Sequence, residues 1–311
     1  MEEQAHPDGY GYLGPSGTFT EQAIRRLHPE VGDRAWSAPS VAAALEAVRS
    51  GRLHRVVVPL ESSVEGSVST TLDELVRGQP LQIFREVHIE VQFALLARDG
   101  TSKEQVRRIA THPHAAAQTR VWLATHLPAA EVIPESSTAR AAALVAAQVY
   151  DAAIAAPLAA ERHGLARLAD GIADRAGAVT RFVELGRPGA PPPASGADTT
   201  TLVAFIGLNR PGALLEVLEQ FAVRGVDLTR LESRPTGEAL GQYCFTIDAV
   251  GHLAEPRVAE ALTGLKRTCP EVRFLGSYPR ADGRPGVVPE EAGPAAYRQA
   301  AAWVAGLAQP R

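Results

Sequence analysis

Four segments of the first 185 residues place polar side chains where a strand ends or a helix begins, at residues 14–19, 59–67, 111–118 and 180–182. In the first, glycines between a predicted strand and a predicted helix let the backbone approach a ligand, and a helix N-terminus favours an anion. A tight turn capped by Ser16 or Thr18 would use the same residues. Taken alone, this segment indicates either an anion site or an ordinary turn.

The second and fourth segments add charged residues to strands that are otherwise apolar. Glu61 follows an apolar run at the carboxyl end of a strand, where open α/β sheets bind ligands, although capping of the region after Ser67 is an alternative role. Arg181 lies in an apolar strand and requires an anionic partner, either a substrate or a structural carboxylate. Thr180 points to the opposite face of that strand.

The third segment, Thr111-His-Pro-His-Ala-Ala-Ala-Gln118, contains two histidines two residues apart. Pro113 suits a first helical turn, so Thr111 or His112 is the expected cap. The histidines raise the question of a metal, but no further Cys, His or Asp lies at ligand spacing, and we expect none. The sequence also lacks a Gly-x-Ser-x-Gly elbow. These residues indicate a site for a small polar ligand.

The elements that must position these residues alternate between short apolar strands and helices. Strands are predicted at residues 11–13, 56–60, 86–97, 108–111, 131–133, 152–155 and 178–185, and helices at 19–27, 41–50, 71–77, 115–125, 138–149 and 157–163. Residues 86–97 first alternate apolar and polar side chains and then become fully apolar, which predicts one long strand. The repeated alternation of strands and helices predicts α/β layers with largely parallel sheets.

A linker at residues 186–198, with four prolines and three glycines, divides the chain. We assign residues 9–185 to a first domain, 199–280 to a second, and 281–311 to a C-terminal tail. The predicted elements of the second domain occur in the order strand, helix, strand, strand, helix, strand, which is the ferredoxin-like βαββαβ order. The alanine-rich residues 295–307 of the tail would form one more helix.

Composition excludes several classes of protein. The 311 residues carry a net charge of -4 and have a pI of about 6.2, so we expect no nucleic-acid partner and no general affinity for membranes. The start of the chain, residues 1–8, resembles no secretion signal, and no apolar stretch reaches the length of a membrane span. The two cysteines, Cys244 and Cys269, match no zinc or redox spacing, and Cys244 reads as a core thiol. We expect a cytoplasmic protein.

Taken together, the four segments resemble the prephenate dehydratase family in order and spacing. The family's Gly-Pro-x-Gly-Thr-Phe is present at residues 14–19, and its Pro-Ile-Glu-Asn-Ser-x-x-Gly-x-Val run is similar to residues 59–68, followed by Thr71-Leu-Asp73. Its Ser-His-Pro run with a later glutamine is similar to residues 111–118, and Ser137-Thr-Ala139 matches a further segment. Thr180-Arg-Phe182 matches the family's most characteristic signature.

The second domain resembles an ACT regulatory domain of the dehydratase type. Pro211-Gly-Ala-Leu-Leu215 is similar to its ligand loop, and residues 227–235 match its Glu-Ser-Arg-Pro segment. The resemblance implies a phenylalanine site formed by Gly212, Ala213, Leu214, Leu215, Asp227, Glu232, Ser233, Arg234 and Pro235. It also implies a homodimer or a homotetramer. Because the family resemblance covers residues 9–280, with no N-terminal mutase segment, we expect a monofunctional enzyme.

Three residues depart from the family pattern. Ser62 stands in place of asparagine, so a shorter hydroxyl replaces a two-sided amide. Thr111 replaces a serine and preserves the hydroxyl. Asp227 stands where asparagine is common and changes the contact expected with the ammonium of phenylalanine. The change at Ser62 bears most directly on rate or affinity.

The resemblance implies that prephenate loses carbon dioxide and water to give phenylpyruvate, a reaction that needs no redox or electrophilic cofactor. Thr180 would hydrogen-bond to the departing hydroxyl. The other catalytic residues implied are Glu61, Ser62, Thr111 and Gln118, and the substrate-binding residues are Gly17, Thr18, Arg181, Phe182, His112, Ser137 and Thr138. The implied fold has two lobes, like a periplasmic binding protein, with a cleft between them and chain crossings near Phe84 and Ala169.

Three alternatives remain at the level of the sequence. A binding protein could keep the two lobes without catalysis, and the change at Ser62 allows for it, whereas the intact Thr180-Arg-Phe182 segment argues against it. Arogenate dehydratase carries out the same chemistry on a substrate with an amino group. The second domain could respond to tyrosine or another amino acid instead of phenylalanine.

Overall fold

The computed structural model describes residues 9–207, 210–237 and 242–307, which form an α/β fold with three sheets. The expectation about residues 1–8 lies outside the described residues. The strands are β1 (Tyr10–Leu13), β2 (Trp36–Ala38), β3 (Arg55–Ser62), β4 (Gly66–Ser67), β5 (Gln82–Glu90), β6 (Ala94–Ala97), β7 (Arg108–Thr111), β8 (Glu131–Pro134), β9 (Ala152–Ala155), β10 (Ala166–Ala169), β11 (Val179–Gly186), β12 (Asp198–Phe205), β13 (Leu228–Pro235), β14 (Tyr243–Val250) and β15 (Glu271–Pro279). The α-helices are α1 (Phe19–Leu27), α2 (Val41–Arg49), α3 (Ser69–Arg77), α4 (Pro113–Gln118), α5 (Arg120–His126), α6 (Thr138–Ala146), α7 (Pro157–His163), α8 (Ala213–Ala222), α9 (Pro256–Thr268) and α10 (Pro294–Leu307).

The first lobe is built on a six-stranded sheet in the order β2-β1-β3-β11-β5, with β4 paired to β3. Helix α1 packs on this sheet because Ala23, Ile24 and Leu27 recur at helical spacing and are buried against strand residues such as Val57 and Phe182. Strand β1 runs parallel to both neighbours, β2 and β3. The carboxyl ends of β1 and β3 therefore open at one edge of the sheet, where ligands bind in folds of this type.

The second lobe is a five-stranded sheet in the order β10-β6-β9-β7-β8. Helices α6 and α7 cover one face through small residues, including Ala141, Ala142 and Ala159, and α4 and α5 cover the other through Ala115, Leu123 and Leu127. These small side chains allow close approach of helices to the strands. The expectation of largely parallel sheets is wrong for this lobe, because β6 is antiparallel to both β9 and β10.

The chain passes between the two lobes through two short segments that lie side by side. Val91 N donates to Ala178 O over 2.7 Å, and Ile172 N donates to Phe93 O over 3.1 Å. The prediction of one long strand at residues 86–97 is therefore wrong, since the chain leaves the first sheet after β5 and enters the second at β6. The outward crossing lies at residues 91–93 instead of near Phe84, and the return follows β10, near Ala169 as expected.

The four-stranded sheet has the order β13-β14-β12-β15, with α8 and α9 on one face. The order of its elements confirms the βαββαβ prediction, and the alanine-rich tail forms α10 as expected. Cys244 is fully buried in β14, which confirms the core thiol. Strands β2, β4 and β10 were not predicted, and the single helix expected at residues 115–125 is two helices that meet at Thr119.

The chain divides into two compact units, residues 1–71 with 87–183 and residues 72–86 with 184–311. The boundary between them falls within α3, β5 and β11, so these elements run from one unit into the other. Among the described residues, no helix is both long and apolar enough to cross a membrane.

Candidate active site

A cavity of about 880 Å³ lies within the first unit and is lined by residues of both lobes. Seven of the twelve residues predicted for the reaction line it, namely Thr18, Ser62, His112, Gln118, Ser137, Thr138 and Thr180. The first lobe contributes the loop after β1, the turn after β3 and the start of β11. The second lobe contributes the starts of α4 and α6. Four segments that are distant in sequence are thus brought to one site.

The starts of four helices line the cavity. Thr18 caps α1 by accepting from Glu21 N at 3.3 Å, and Ser137 caps α6 by accepting from Arg140 N at 3.0 Å. His112 Nδ1 caps α4 by accepting from His114 N at 3.2 Å, and α3 begins at Ser69, which also lines the cavity. Each helix start carries a partial positive charge worth on the order of 1 kcal/mol for an anion nearby.

The polar lining consists mainly of hydroxyl groups. Besides the predicted residues, it includes Ser67, Ser69, Thr70 and Ser136, and none of the described residues that line the cavity is lysine or arginine. Phe19 and Phe93 form an apolar wall, with their rings edge to face and 5.8 Å between centroids. The arrangement can hold a small molecule that has both an unsaturated ring and carboxylate groups, through helix starts and hydroxyl donors.

Glu65 is a cavity residue that the sequence reasoning missed. It lies after the turn in which Ser62 Oγ accepts from Val64 N and Glu65 N, at 3.3 and 3.4 Å. The Glu65 carboxylate accepts from Gln118 Nε2 at 3.4 Å and lies 3.9 Å from His114 Nε2. It therefore connects the turn after β3 in the first lobe with α4 in the second. The serine that departs from the family pattern shapes the turn that carries this carboxylate.

Five predicted residues do not line the cavity, and the structure shows why. Thr111 is fully buried and its hydroxyl donates to Ile154 O at 2.7 Å, so it joins β7 to β9. Phe182 is 2% exposed and packs in the core beneath α1. The direct contacts with substrate expected for these two side chains are therefore corrected to contacts within the protein.

Glu61 and Arg181 form an ion pair with each other, with 3.7 Å between the Glu61 Oε2 and Arg181 Nη1 atoms. Of the two partners left open for Arg181, a structural carboxylate is the one the structure provides. The pair joins β3 to β11, next to the start of β11 where Thr180 lies. These two residues can hold Thr180 in place without reaching the cavity themselves.

Gly17 is also turned away from the cavity, because its amide donates to Glu21 Oε2 at 2.6 Å. Its φ angle is +89°, and a Cβ atom at this position would lie 3.2 Å from Ala159 Cα, so a side chain here would be both strained and crowded. Ser16 Oγ donates to the same Glu21 oxygen at 2.9 Å. Glu21, which the sequence reasoning did not single out, thus fixes the glycine-rich loop from behind.

Glu21 is almost completely buried and is neutralised by arginines. Arg162 Nε, on α7, donates to Glu21 Oε1 at 2.9 Å, and Arg25 Nε donates to the same oxygen at 3.1 Å. Burial alone would raise the pKa of Glu21, but the hydrogen bonds from Arg162, Gly17 N and Ser16 outweigh it and hold the pKa below its ordinary value. Because α1 packs on the first lobe and α7 on the second, this pair joins the two lobes.

Burial lowers the pKa of His112, and the neighbouring His114 lowers it further, while Glu65 acts in the opposite direction. His112 is therefore neutral at neutral pH and can accept the hydrogen bond that caps α4. Within the described residues, no group of three or more His, Cys, Asp or Glu is arranged to hold a metal ion.

Comparisons with known proteins agree with this geometry. The profile of the family described as prephenate dehydratase matches residues 10–190. A prephenate dehydratase of Mycolicibacterium vanbaalenii is 47% identical, over 97% of this chain and 99% of its own. A solved prephenate dehydratase from Arthrobacter aurescens, in complex with L-Phe, is 49% identical, with a TM-score of 0.90 over 96% of this chain and 98% of that one. The solved structure of GqqA, described as a novel type of quorum quenching acylase, is 32% identical, with a TM-score of 0.78 over 87% and 97% of the two chains.

Proposed function

This chain belongs to the prephenate dehydratase family, and we propose that it converts prephenate to phenylpyruvate in the cavity that Thr180 lines, under regulation by phenylalanine. The observation that carries the proposal is the meeting of Thr180 with four helix starts and a set of hydroxyl groups in one cavity. A dicarboxylate with a six-membered ring matches both the polar and the apolar parts of this lining.

Substrate binding rests on helix starts and neutral donors. The caps of α1, α4 and α6 and the first residues of α3 provide partial positive charge for the two carboxylates of prephenate. Phe19, Val91 and Phe93 offer an apolar surface to the ring. Because these groups carry no full charge, they hold the carboxylates without forming a strong ion pair that would oppose the loss of carbon dioxide.

The reaction takes up one proton, as the prephenate dianion and a proton give phenylpyruvate, carbon dioxide and water. The C–C bond to the ring carboxylate breaks, and its electron pair passes into the ring. The C–O bond to the ring hydroxyl also breaks, and its electron pair leaves with the oxygen, which accepts a proton. Thr180 Oγ donates a hydrogen bond to that departing oxygen, and Ser62 and Gln118 orient the substrate. Support for this assignment comes from the presence of all three residues in the cavity lining.

The other predicted residues act behind this lining. Glu61 and Arg181 hold the start of β11 through their ion pair, and Thr111 ties β7 to β9. Thr18, His112, Ser137 and Thr138 bind substrate at the starts of their helices. Gly17 supports substrate binding through the shape of its loop.

Phenylalanine binds, in this proposal, at the start of α8 and along β13, as the L-Phe complex of the Arthrobacter relative suggests. The predicted residues at α8 are Gly212, Ala213, Leu214 and Leu215, and those from β13 and the residue before it are Asp227, Glu232, Ser233, Arg234 and Pro235. The catalytic domain extends over residues 9–185, the linker over 186–198, the ACT domain over 199–280 and the tail over 281–311.

We further propose a homodimer or homotetramer in the cytoplasm. Strand β13 lies at the edge of its sheet and exposes Leu231, and α8 exposes Leu215. An edge strand with apolar neighbours favours pairing with a second copy. The cysteines are unpaired and buried, as suits a reducing compartment.

The test measures phenylpyruvate formation from prephenate, with and without millimolar phenylalanine. We expect turnover that phenylalanine changes. Arogenate is assayed in parallel because it is the closest chemical alternative. Cleavage of an N-acyl amide is also assayed, because the GqqA structure is described as an acylase. A folded protein that uses arogenate or the amide but leaves prephenate unchanged would overturn the proposal.

A further inference from the structure

Helix α3 carries residues of the candidate active site at one end and residues of the second unit at the other. Ser69 and Thr70, in its first turn, line the cavity. From Leu72 onwards the same helix belongs to the second unit. A change in position at the C-terminal end of a short, continuous helix of nine residues is transmitted to its first turn, because the backbone hydrogen bonds keep it rigid.

Within the second unit, Arg273 of β15 binds the C-terminal end of α3. Its Nη1 atom donates to three carbonyl oxygens, those of Leu75, Val76 and Gly78, at 3.1, 2.6 and 2.8 Å. These are carbonyls that a helix leaves without partners at its end, and a cation there also interacts favourably with the helix dipole. One side chain of the four-stranded sheet therefore fixes the end of α3.

Also within the second unit, a row of alternating charges leads from the interior of the sheet to α3. It begins at Asp248, which is fully buried and accepts from Arg230 Nε at 2.9 Å. Arg230 Nη1 lies 3.6 Å from Glu232 Oε2, and Glu232 Oε1 lies 3.4 Å from Arg234 Nη1. Arg234 in turn pairs with Asp73 of α3. We call these five residues the charge row.

The charge row lies on one face of the sheet because β13 contains a bulge between Leu228 and Arg230. Leu228 packs with the core beneath α8 and α9, whereas Arg230 and the alternate residues after it are opposite Asp248, Thr246 and Cys244. The bulge therefore directs Glu232 and Arg234 away from α8 and α9. These two residues belong to the segment predicted to bind phenylalanine.

We propose that Asp73 is a positioning residue that couples the phenylalanine-binding segment to the active site through α3. The inference rests on the proposed function, since it concerns how that site is regulated. A bound amino acid offers an ammonium to Glu232 and a carboxylate to Arg234, and either contact competes with the charge row. Arg234 then holds Asp73 less firmly, α3 changes its position, and Ser69 and Thr70 move relative to the substrate.

The test compares the full-length protein with Asp73→Asn and Asp73→Glu. Asparagine keeps the shape of the side chain and removes its charge, whereas glutamate keeps the charge and is the matched control. Because Asp73 is 37% exposed, neither change should prevent folding, and thermal unfolding verifies this. For each protein, calorimetry gives the Kd of phenylalanine, and kcat and KM for prephenate are measured with and without saturating phenylalanine.

Couplings between sites typically correspond to about 5- to 150-fold changes. We expect Asp73→Asn to bind phenylalanine at least as tightly as the parent, because Asp73 no longer competes for Arg234, while its response to phenylalanine falls to less than about twofold. Asp73→Glu should respond like the parent. A full response in Asp73→Asn, or a loss of phenylalanine binding in it, would overturn the inference. Failure of the parent to turn over prephenate would instead count against the proposed function.

A second variant tests the other attachment of α3. Arg273→Gln removes the cation from the end of the helix, so we expect KM for prephenate to rise severalfold without phenylalanine and with little change in the Kd of phenylalanine. An unchanged KM in a folded Arg273→Gln protein would show that the position of α3 does not matter to the site.

Discussion

Replacement of Glu21 by glutamine tests how the glycine-rich loop is held. The Glu21 carboxylate accepts from Gly17 N and Ser16 Oγ on one oxygen and from Arg162 and Arg25 on the other. Glutamine has nearly the same shape but no charge, and its amide nitrogen can only donate, whereas its amide oxygen still accepts. The variant therefore keeps only the hydrogen bonds to one of the two oxygens and leaves Arg162 and Arg25 without this anion.

The expected loss of stability follows from the burial of the groups. Removal of one partner from a buried ion pair costs about 3–5 kcal/mol. The Glu21 side chain is 2% exposed, but those of Arg162 and Arg25 are 22% and 33% exposed, and Arg162 keeps Asp33 as a partner. Water can therefore solvate part of what the arginines lose, and we expect a decrease of about 2–3 kcal/mol in the free energy of unfolding at pH 7.

The difference in stability between the parent and Glu21→Gln should depend on pH. Since the pKa of Glu21 is lowered in the folded protein, its contribution to stability is present above the unfolded pKa of about 4.3 and is lost as the pH falls through the folded value. The difference between the parent and Glu21→Gln should therefore be largest above about pH 5 and should shrink towards pH 3.

Denaturant unfolding of the two proteins at several pH values measures this difference directly. Glu46→Gln is the matched control, because Glu46 is exposed on α2 and should change stability by less than about 0.5 kcal/mol. We also expect KM for prephenate to rise in Glu21→Gln, since the loop after β1 lines the cavity. Equal stability of parent and variant at pH 7, or a difference that is the same at every pH, would refute the reasoning.

Three further changes test other parts of the site. Thr180→Val should lower kcat by about 100-fold or more, because a hydrogen-bond donor to a developing charge is worth roughly 3 kcal/mol. The kcat of Thr180→Ser should stay near that of the parent. Phenylpyruvate assays that find normal turnover in the valine variant would exclude the assigned role. Gly17→Ala should destabilise the protein by about 1–3 kcal/mol in thermal unfolding because of its positive φ and the nearby Ala159 backbone, and an unchanged melting temperature would contradict this. Because the pKa of His112 is lowered, its cap on α4 should persist on acidification, and KM for prephenate should begin to rise only below about pH 6.5. This rise should vanish in His112→Asn, since asparagine can cap the helix without titrating. A rise in KM above about pH 6.5 would contradict the assignment.

The sequence predicted most elements because their apolar periodicities reflect burial. The strands and helices of residues 198–279 and the helices that begin at Phe19, Val41 and Pro157 are found where they were expected. The long strand at residues 86–97 was not, since an alternating pattern indicates extended backbone but not the sheet with which it pairs. Hydrogen bonds from Val91 and to Phe93 carry this segment between the lobes instead.

The candidate site was predictable where a residue stands at the end of an element. Thr18 and His112 were found because helix caps have a sequence signature, whereas Ser137 was found through the family resemblance, and each lines the cavity. Thr111 and Phe182 belong to family motifs, yet both are buried, because a motif does not distinguish a residue that touches substrate from one that supports it. Glu21 gave no signal, since an acid in a first helical turn is common. Its role depends on Arg162, 141 residues later.

The position of β11 in the six-stranded sheet has a consequence for biosynthesis. This strand lies between β3 and β5, yet it is made only after the whole second lobe has been translated. Until then, β3 and β5 each expose an unpaired edge, and the nascent chain is open to aggregation. Closure of the loop of more than 80 residues between β5 and β11 is a long-range step, which favours slow folding. Because Thr180 lies on β11, the strand that completes this sheet also brings the hydroxyl that we propose donates to the departing oxygen.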